Sequence, residues 1–212
     1  MVQFTDRVAA GRELAPQLEY LRGQDIVVLG VPRGGVPVAY EVAEALGAPL
    51  DVIVVHRLDV PFDRVFAMGA IGEEGTEIVD VETVSRVGVT DDELRSAENT
   101  ERRNLEQRVA RLRHGVARVP LTGRTAVIVD DGVATGATAQ IAIEVARRLG
   151  AARVVLAVPV ISPRALEELL GADDIVYLHA PADFWSVGRH YTDFTAITDE
   201  QVAELLDQAG RR

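Results

Sequence analysis

Short, unbroken apolar runs alternate along this chain with segments whose apolar residues recur at helical spacing. Runs at 26–30, 50–56, 125–130, 153–160 and 174–179 lack the polar alternation of a strand with one wet face, so they predict strands buried on both faces. Helical spacing fills the intervals at 7–21, where Pro16 interrupts the middle, at 36–46 and at 137–149; a further helix opens at Ser162, with Pro163 in its first position. Strands and helices alternating in this way predict an α/β fold, a parallel sheet with helices on both faces.

The pattern breaks beyond Arg57, and residues of about 58–115 read as an excursion from the core. It holds Pro61, a hairpin across 67–79 with Gly72 and Gly75 near its turn, and a charged helix from Thr90 to about Arg113. That helix begins with a capping box, Thr90 and Glu93, and carries Asp91–Arg95 and Glu98–Arg102 at i,i+4 spacing. Its thin stripe of Leu94, Leu105, Val109 and Leu112 predicts light packing on the core or on a second subunit. An aromatic-rich stretch from Pro181 and a last helix, capped by Thr198 and Gln201, make up 181–212. No internal repeat or long linker divides the chain, so 1–212 reads as one domain.

Composition removes whole classes of chemistry. The net charge of −11 argues against nucleic acid as the main partner. The absence of cysteine excludes disulfides, thiol catalysis and thiolate metal sites. Lysine is absent too, which excludes both a Walker A loop and a Schiff base on a side-chain amine. The histidines His56, His114, His179 and His190 are isolated, and no Gly-x-Gly-x-x-Gly occurs. With no apolar run long enough to span a bilayer and no secretion signal at the start, the expected location is cytoplasmic.

The chemistry concentrates where the strand 125–130 ends. Asp130 and Asp131 are followed by Gly132, Val133, Ala134, Thr135, Gly136, Ala137 and Thr138, and then by a helix. Asp-Asp-Gly alone is a common turn. With the buried strand before it and the helix after it, the loop offers backbone N–H groups and hydroxyls to a phosphate at a helix N-terminus. The paired carboxylates suit sugar hydroxyls or a hard cation. Pro32-Arg33-Gly34-Gly35 ends the first core strand in the same way: its glycines let backbone approach an anion, and Arg33 offers a fork of donors.

The stretch 127–138 resembles the signature of the type I phosphoribosyltransferases, enzymes that use phosphoribosyl pyrophosphate (PRPP). The resemblance covers the core from about Ile26 to His179. It implies Mg²⁺-dependent transfer of the 5-phosphoribosyl group to a nitrogenous base, with release of pyrophosphate, in nucleotide metabolism and by a homodimer. It places PRPP on residues 130–138, with Asp130 and Asp131 on the ribose and the metal, and pyrophosphate on Arg33, Gly34 and Gly35. It also makes the Pro32–Arg33 bond a candidate cis peptide. Arg57 is either the family's basic residue at this sheet edge, and so catalytic with Arg33, or an ordinary surface arginine.

Phe184, Trp185, Tyr191 and Phe194 either pack on the core or form a hood in which Phe184 or Trp185 stacks on the base. Asp193 corresponds loosely to the hood aspartate that meets the metal. Two departures stand against a guanine or hypoxanthine acceptor: Ala134 replaces the usual acid of the loop, and the lysine that reads the 6-oxo group is missing. A purine-like base is favoured narrowly. The alternatives are a PRPP-binding sensor without transferase activity, and a hydrolase of PRPP.

Overall fold

The structure, a computed structural model, describes residues 3–61, 63–114 and 117–210, without the side chains of 63–66 and 74. Phe62 and Gly115 of the expected excursion and the last two residues of the expected hood therefore lie outside the described residues. In chain order the elements are α1 (Arg7–Leu14), β1 (Ile26–Gly30), α2 (Gly35–Leu46), β2 (Leu50–Val52), β3 (Val55–Val60), β4 (Asp63–Gly72), β5 (Glu77–Val79), α3 (Val81–Val87), α4 (Asp91–Arg113), β6 (Thr125–Val129), α5 (Ala137–Arg148), β7 (Arg153–Val160), α6 (Pro163–Glu168), β8 (Asp174–His179) and α7 (Asp199–Gly210).

Five parallel strands in the order β2-β1-β6-β7-β8 form the central sheet. Alternate residues of its strands face opposite layers. Ile26, Val28, Val127, Val129, Val155 and Ala157 pack on α1 and α2. Val27, Leu29, Ala126, Ile128, Leu156 and Val158 pack on α5 and α6. From β1 the chain crosses to β2 on one side, and from β6 it crosses to β7 on the other. The connections therefore diverge between β1 and β6, and at such a switch point a crevice opens beyond the carboxyl ends of the strands. Both candidate loops, 31–34 and 130–136, leave those two ends.

The run 50–56 does not form one strand. After Val52 the chain leaves the central sheet, and β3 opens a second, antiparallel sheet β3-β4-β5. The N–H of Ile53 still donates to the Gly30 carbonyl at 3.1 Å, but that of Val54 donates to the Glu73 carboxylate at 3.2 Å. Past Ile53 the ladder to β1 stops, and the run changes sheets there. Within the excursion the 67–79 hairpin is present as β4 and β5, joined by a 3₁₀ turn. The β3–β4 hairpin and α3 add elements that periodicity did not mark.

Helix α4 carries the expected capping box. Its arginines pair otherwise than the i,i+4 spacing predicts: Arg95 bonds Asp92 at 2.7 Å, and Arg102 reaches across to Glu77 of β5 at 3.0 Å. The first helix is α-helical only to Leu14, then tightens to 3₁₀ geometry over Ala15–Leu21, where Pro16 has no N–H to give. Among the described residues no helix is long and apolar enough to cross a membrane.

Candidate functional site

The loop after β1 is tied to β6 at its root, where the N–H of Val31 donates to the Val129 carbonyl at 2.9 Å. The peptide bond between Pro32 and Arg33 is cis. Arg33 is exposed, while Gly34 and Gly35 turn inward against the acids of the neighbouring loop. A Cβ on Gly34 would lie 2.0 Å from Oδ2 of Asp131, and one on Gly35 would lie 2.6 Å from the Val129 carbonyl oxygen. Only glycine allows the two loops to touch in this way.

The second loop is held from behind by the strand and helix that follow it. The N–H of Val133 donates to Val160 at 2.9 Å, and that of Ser162 donates to Val133 at 2.8 Å. Gly136 precedes α5 with φ +81°, a conformation that an L side chain rarely adopts. Ala134, Thr135, Ala137 and Thr138 are exposed around this helix start. The Asp130 carboxylate accepts from the N–H of Asp131 at 2.8 Å. Burial holds the Asp130 carboxyl well above the usual carboxylate range, and the adjacent Asp131 charge adds to the effect. Burial raises Asp131 as well, against the opposing pull of Arg7.

Arg7 was not among the residues expected here. Its Nε donates to Asp131 Oδ2 at 2.8 Å, its Nη1 donates to the Thr195 carbonyl at 2.9 Å, and its guanidinium lies 3.9 Å from the centre of the Phe194 ring. It is 8 % exposed. A cation in the first turn of a helix opposes the helix dipole, but only by about 0.3–1 kcal/mol, and this singles out no partner. Tyr191 closes the arrangement. It is buried, and its hydroxyl donates to the Asp131 carbonyl at 2.5 Å; burial raises its pKa far above the ordinary value. The segment before α1 pairs with this region through Phe4 to His190 and Thr192 to Phe4, both at 2.8 Å.

The remaining candidates are dispersed around the acids. Arg57 lies 3.2 Å from Asp59 and lines a cavity of about 690 Å³ together with Pro32, His56, Glu101, Arg108 and Thr138. A second cavity, of about 660 Å³, lies on the far side of Arg7, between α1, α2 and α7. Phe184 stacks on His190 at 5.5 Å between ring centres, and Trp185 is 79 % exposed. The Asp193 carboxylate accepts from the N–H and hydroxyl of Thr195 at 2.9 and 2.6 Å. No group of three or more His, Cys, Asp or Glu is placed to hold a metal ion among the described residues. Asp130 and Asp131 fit Mg²⁺ in their donor chemistry: paired hard oxygens, leaving further coordination to substrate oxygens and water.

Comparison with known proteins shows the family and the fold. Residues 3–191 match the family model described as a phosphoribosyl transferase domain. The chain is 49 % identical over 212 residues to Mycobacterium tuberculosis proteins from two strains, whose names provisionally call them phosphoribosyl transferases. It spans about half the length of these curated relatives, covering 48 % of each. The solved structure of TT1426 from Thermus thermophilus superposes with a TM-score of 0.86 at 42 % identity, covering 98 % of this chain and 99 % of that one. A Neisseria gonorrhoeae protein crystallised with ppGpp shares the fold at a TM-score of 0.53 and 12 % identity, covering 98 % of this chain and 96 % of its own.

Proposed function

This chain belongs to the phosphoribosyl transferase family, and we propose that it transfers the 5-phosphoribosyl group of PRPP to a nitrogenous base, releasing pyrophosphate. The observation that carries the reading is the meeting of two loops at the switch point, with Gly34 against Asp131 and Gly35 against Asp130. The 5-phosphate occupies the loop from Ala134 to Thr138, where exposed hydroxyls and the start of α5 receive an anion. Asp130 and Asp131 take the ribose hydroxyls and hold Mg²⁺. The bound metal supplies neutralisation of the pyrophosphate charge.

Arg33, exposed at the rim beside Gly34 and Gly35, faces the departing pyrophosphate, and Arg57 serves the same anion from the neighbouring cavity. Bond breaking at C1 develops oxocarbenium character, and a base nitrogen held on the opposite face attacks with inversion. Orientation and fixed charges then account for most of the acceleration. Asp193 keeps its place as a third proposed metal ligand, with its Oδ1 already accepting from Thr195. Ala134 favours a purine-like base other than a 6-oxopurine. Homodimer assembly and a cytoplasmic site of action complete the proposal.

A second reading, a PRPP sensor or hydrolase, draws on Ala134 and on the aromatics: Trp185 points to solvent, and Phe184 is already stacked on His190. Pyrophosphate release from PRPP and Mg²⁺, with each common purine and pyrimidine supplied separately, decides between the readings. Release that depends on one base establishes the transferase and names its substrate. Release without any base identifies the hydrolase. Binding of PRPP with no release leaves the sensor or an acceptor outside the bases supplied.

A further inference from the structure

We infer that Arg7 is a positioning residue for PRPP: it fixes the Asp131 carboxylate against Gly34 and ties it to the C-terminal segment. The inference rests on the reading that Asp130 and Asp131 receive the ribose of PRPP. Arg7 lies 124 positions from Asp131 and enters from α1, an element outside both loops. Its guanidinium makes three engagements at once, on Asp131, on the Thr195 carbonyl and on the Phe194 face. Each fixes a different plane or edge of the group, which leaves it little freedom to follow Asp131 if that carboxylate turns.

The bond to Asp131 engages Oδ2, on the side where Gly34 approaches. A carboxylate pinned through one oxygen keeps a defined orientation for the other, and ribose recognition needs that orientation before PRPP arrives. The same guanidinium holds Thr195 and Phe194. These residues belong to a stretch whose backbone is already paired to the chain before α1, through Thr192 to Phe4 and, at 2.9 Å, Asp193 to Thr5. No arginine of this kind ties residues 134–138 to that stretch among the described residues, so the effect falls on the ribose and leaves phosphate capture alone.

The test is a double-mutant cycle on PRPP affinity, measured by calorimetric titration of PRPP with Mg²⁺ into the full chain. The variants are Arg7→Ala, Arg7→Lys, Asp131→Asn and the two combinations, with folding checked by circular dichroism. Arg7→Ala is expected to weaken PRPP by roughly 10-fold when Asp131 is intact and by less than about 2-fold in the Asp131→Asn background. Arg7→Lys, which keeps the charge but not the fork, is expected to recover part of the loss. In turnover, the change should appear in KM for PRPP more than in kcat.

Equal losses in both backgrounds would reduce Arg7 to a structural tie for the C-terminal segment and overturn the inference. Tighter binding by Arg7→Ala would overturn it in the opposite sense, making Arg7 a competitor for Asp131. If Arg7→Ala fails to fold, the cycle is run with Arg7→Lys, and the same comparison of backgrounds decides. Absence of PRPP binding by the unmodified protein is a separate outcome: it removes the functional reading itself, and the inference with it.

Discussion

At Gly34 a single hydrogen atom separates the loop after β1 from the Asp131 carboxylate. Alanine there would bring a Cβ to 2.0 Å from Asp131 Oδ2 and 3.2 Å from Arg7 Nε, so the carboxylate must swing away and give up its arginine. Gly34→Ala is expected to cost about 1–3 kcal/mol in stability and to weaken PRPP binding by an order of magnitude or so, as for losing one charge-assisted contact. Denaturant melts and calorimetric titration read the two effects separately. The acids and the glycines were legible in the sequence because each motif lies within a few consecutive residues. Arg7 was not, because what defines it is a partner in a distant loop.

Among the elements, the excursion is fastened to the core by buried charge as well as by its apolar stripe, of which Leu105 and Leu112 are buried. Arg113, at the end of α4, donates to Asp51 of β2 at 2.8 Å and to the Val52 carbonyl at 2.9 Å, and it also bonds Glu73. Arg118 reaches the same glutamate at 2.6 Å. Asp51, Glu73 and Arg113 are all buried. Arg113→Met would leave two acids buried beside a single remaining arginine, at an expected cost of about 3–5 kcal/mol, read from the urea midpoint. Further along α4, a hydrogen bond shared with Glu77 and then burial push the Glu98 carboxyl up to about 7, with Arg102 and Arg95 opposing. The folded state holds that proton in a range where the unfolded chain releases it. This contribution to stability is therefore complete below the ordinary value of 4.5 and is lost as pH rises through about 7. Accordingly, Glu98→Gln should shrink the stability difference between pH 5 and pH 8, measured by denaturant melts at both.

For the whole molecule, the second sheet is built into the first: Val36, Val52 and Val54 of the core share one apolar cluster with Leu58, Met68, Ile71 and Leu105 of the excursion and Val202 of α7. A ligand bound at the switch point thus stabilises everything that cluster joins. PRPP with Mg²⁺ at a hundred times its Kd should add about 2.7 kcal/mol, a rise of about 5–10 °C in Tm for a chain of this size. Chelating the metal with EDTA should remove most of that rise in the same scanning calorimetry. The sequence by itself determined the order of buried strands and helices, the capped ends of α4 and α6 and the place of the loops after β1 and β6, because burial pattern, caps and turn residues act between neighbours a few positions apart. Only the tertiary structure decided that 50–56 divides between two sheets, that Arg102 crosses to β5 and that Arg7 closes on Asp131. Each of these depends on which distant carboxylate the packed layers bring within reach of a backbone N–H or a guanidinium, and no local pattern encodes that distance.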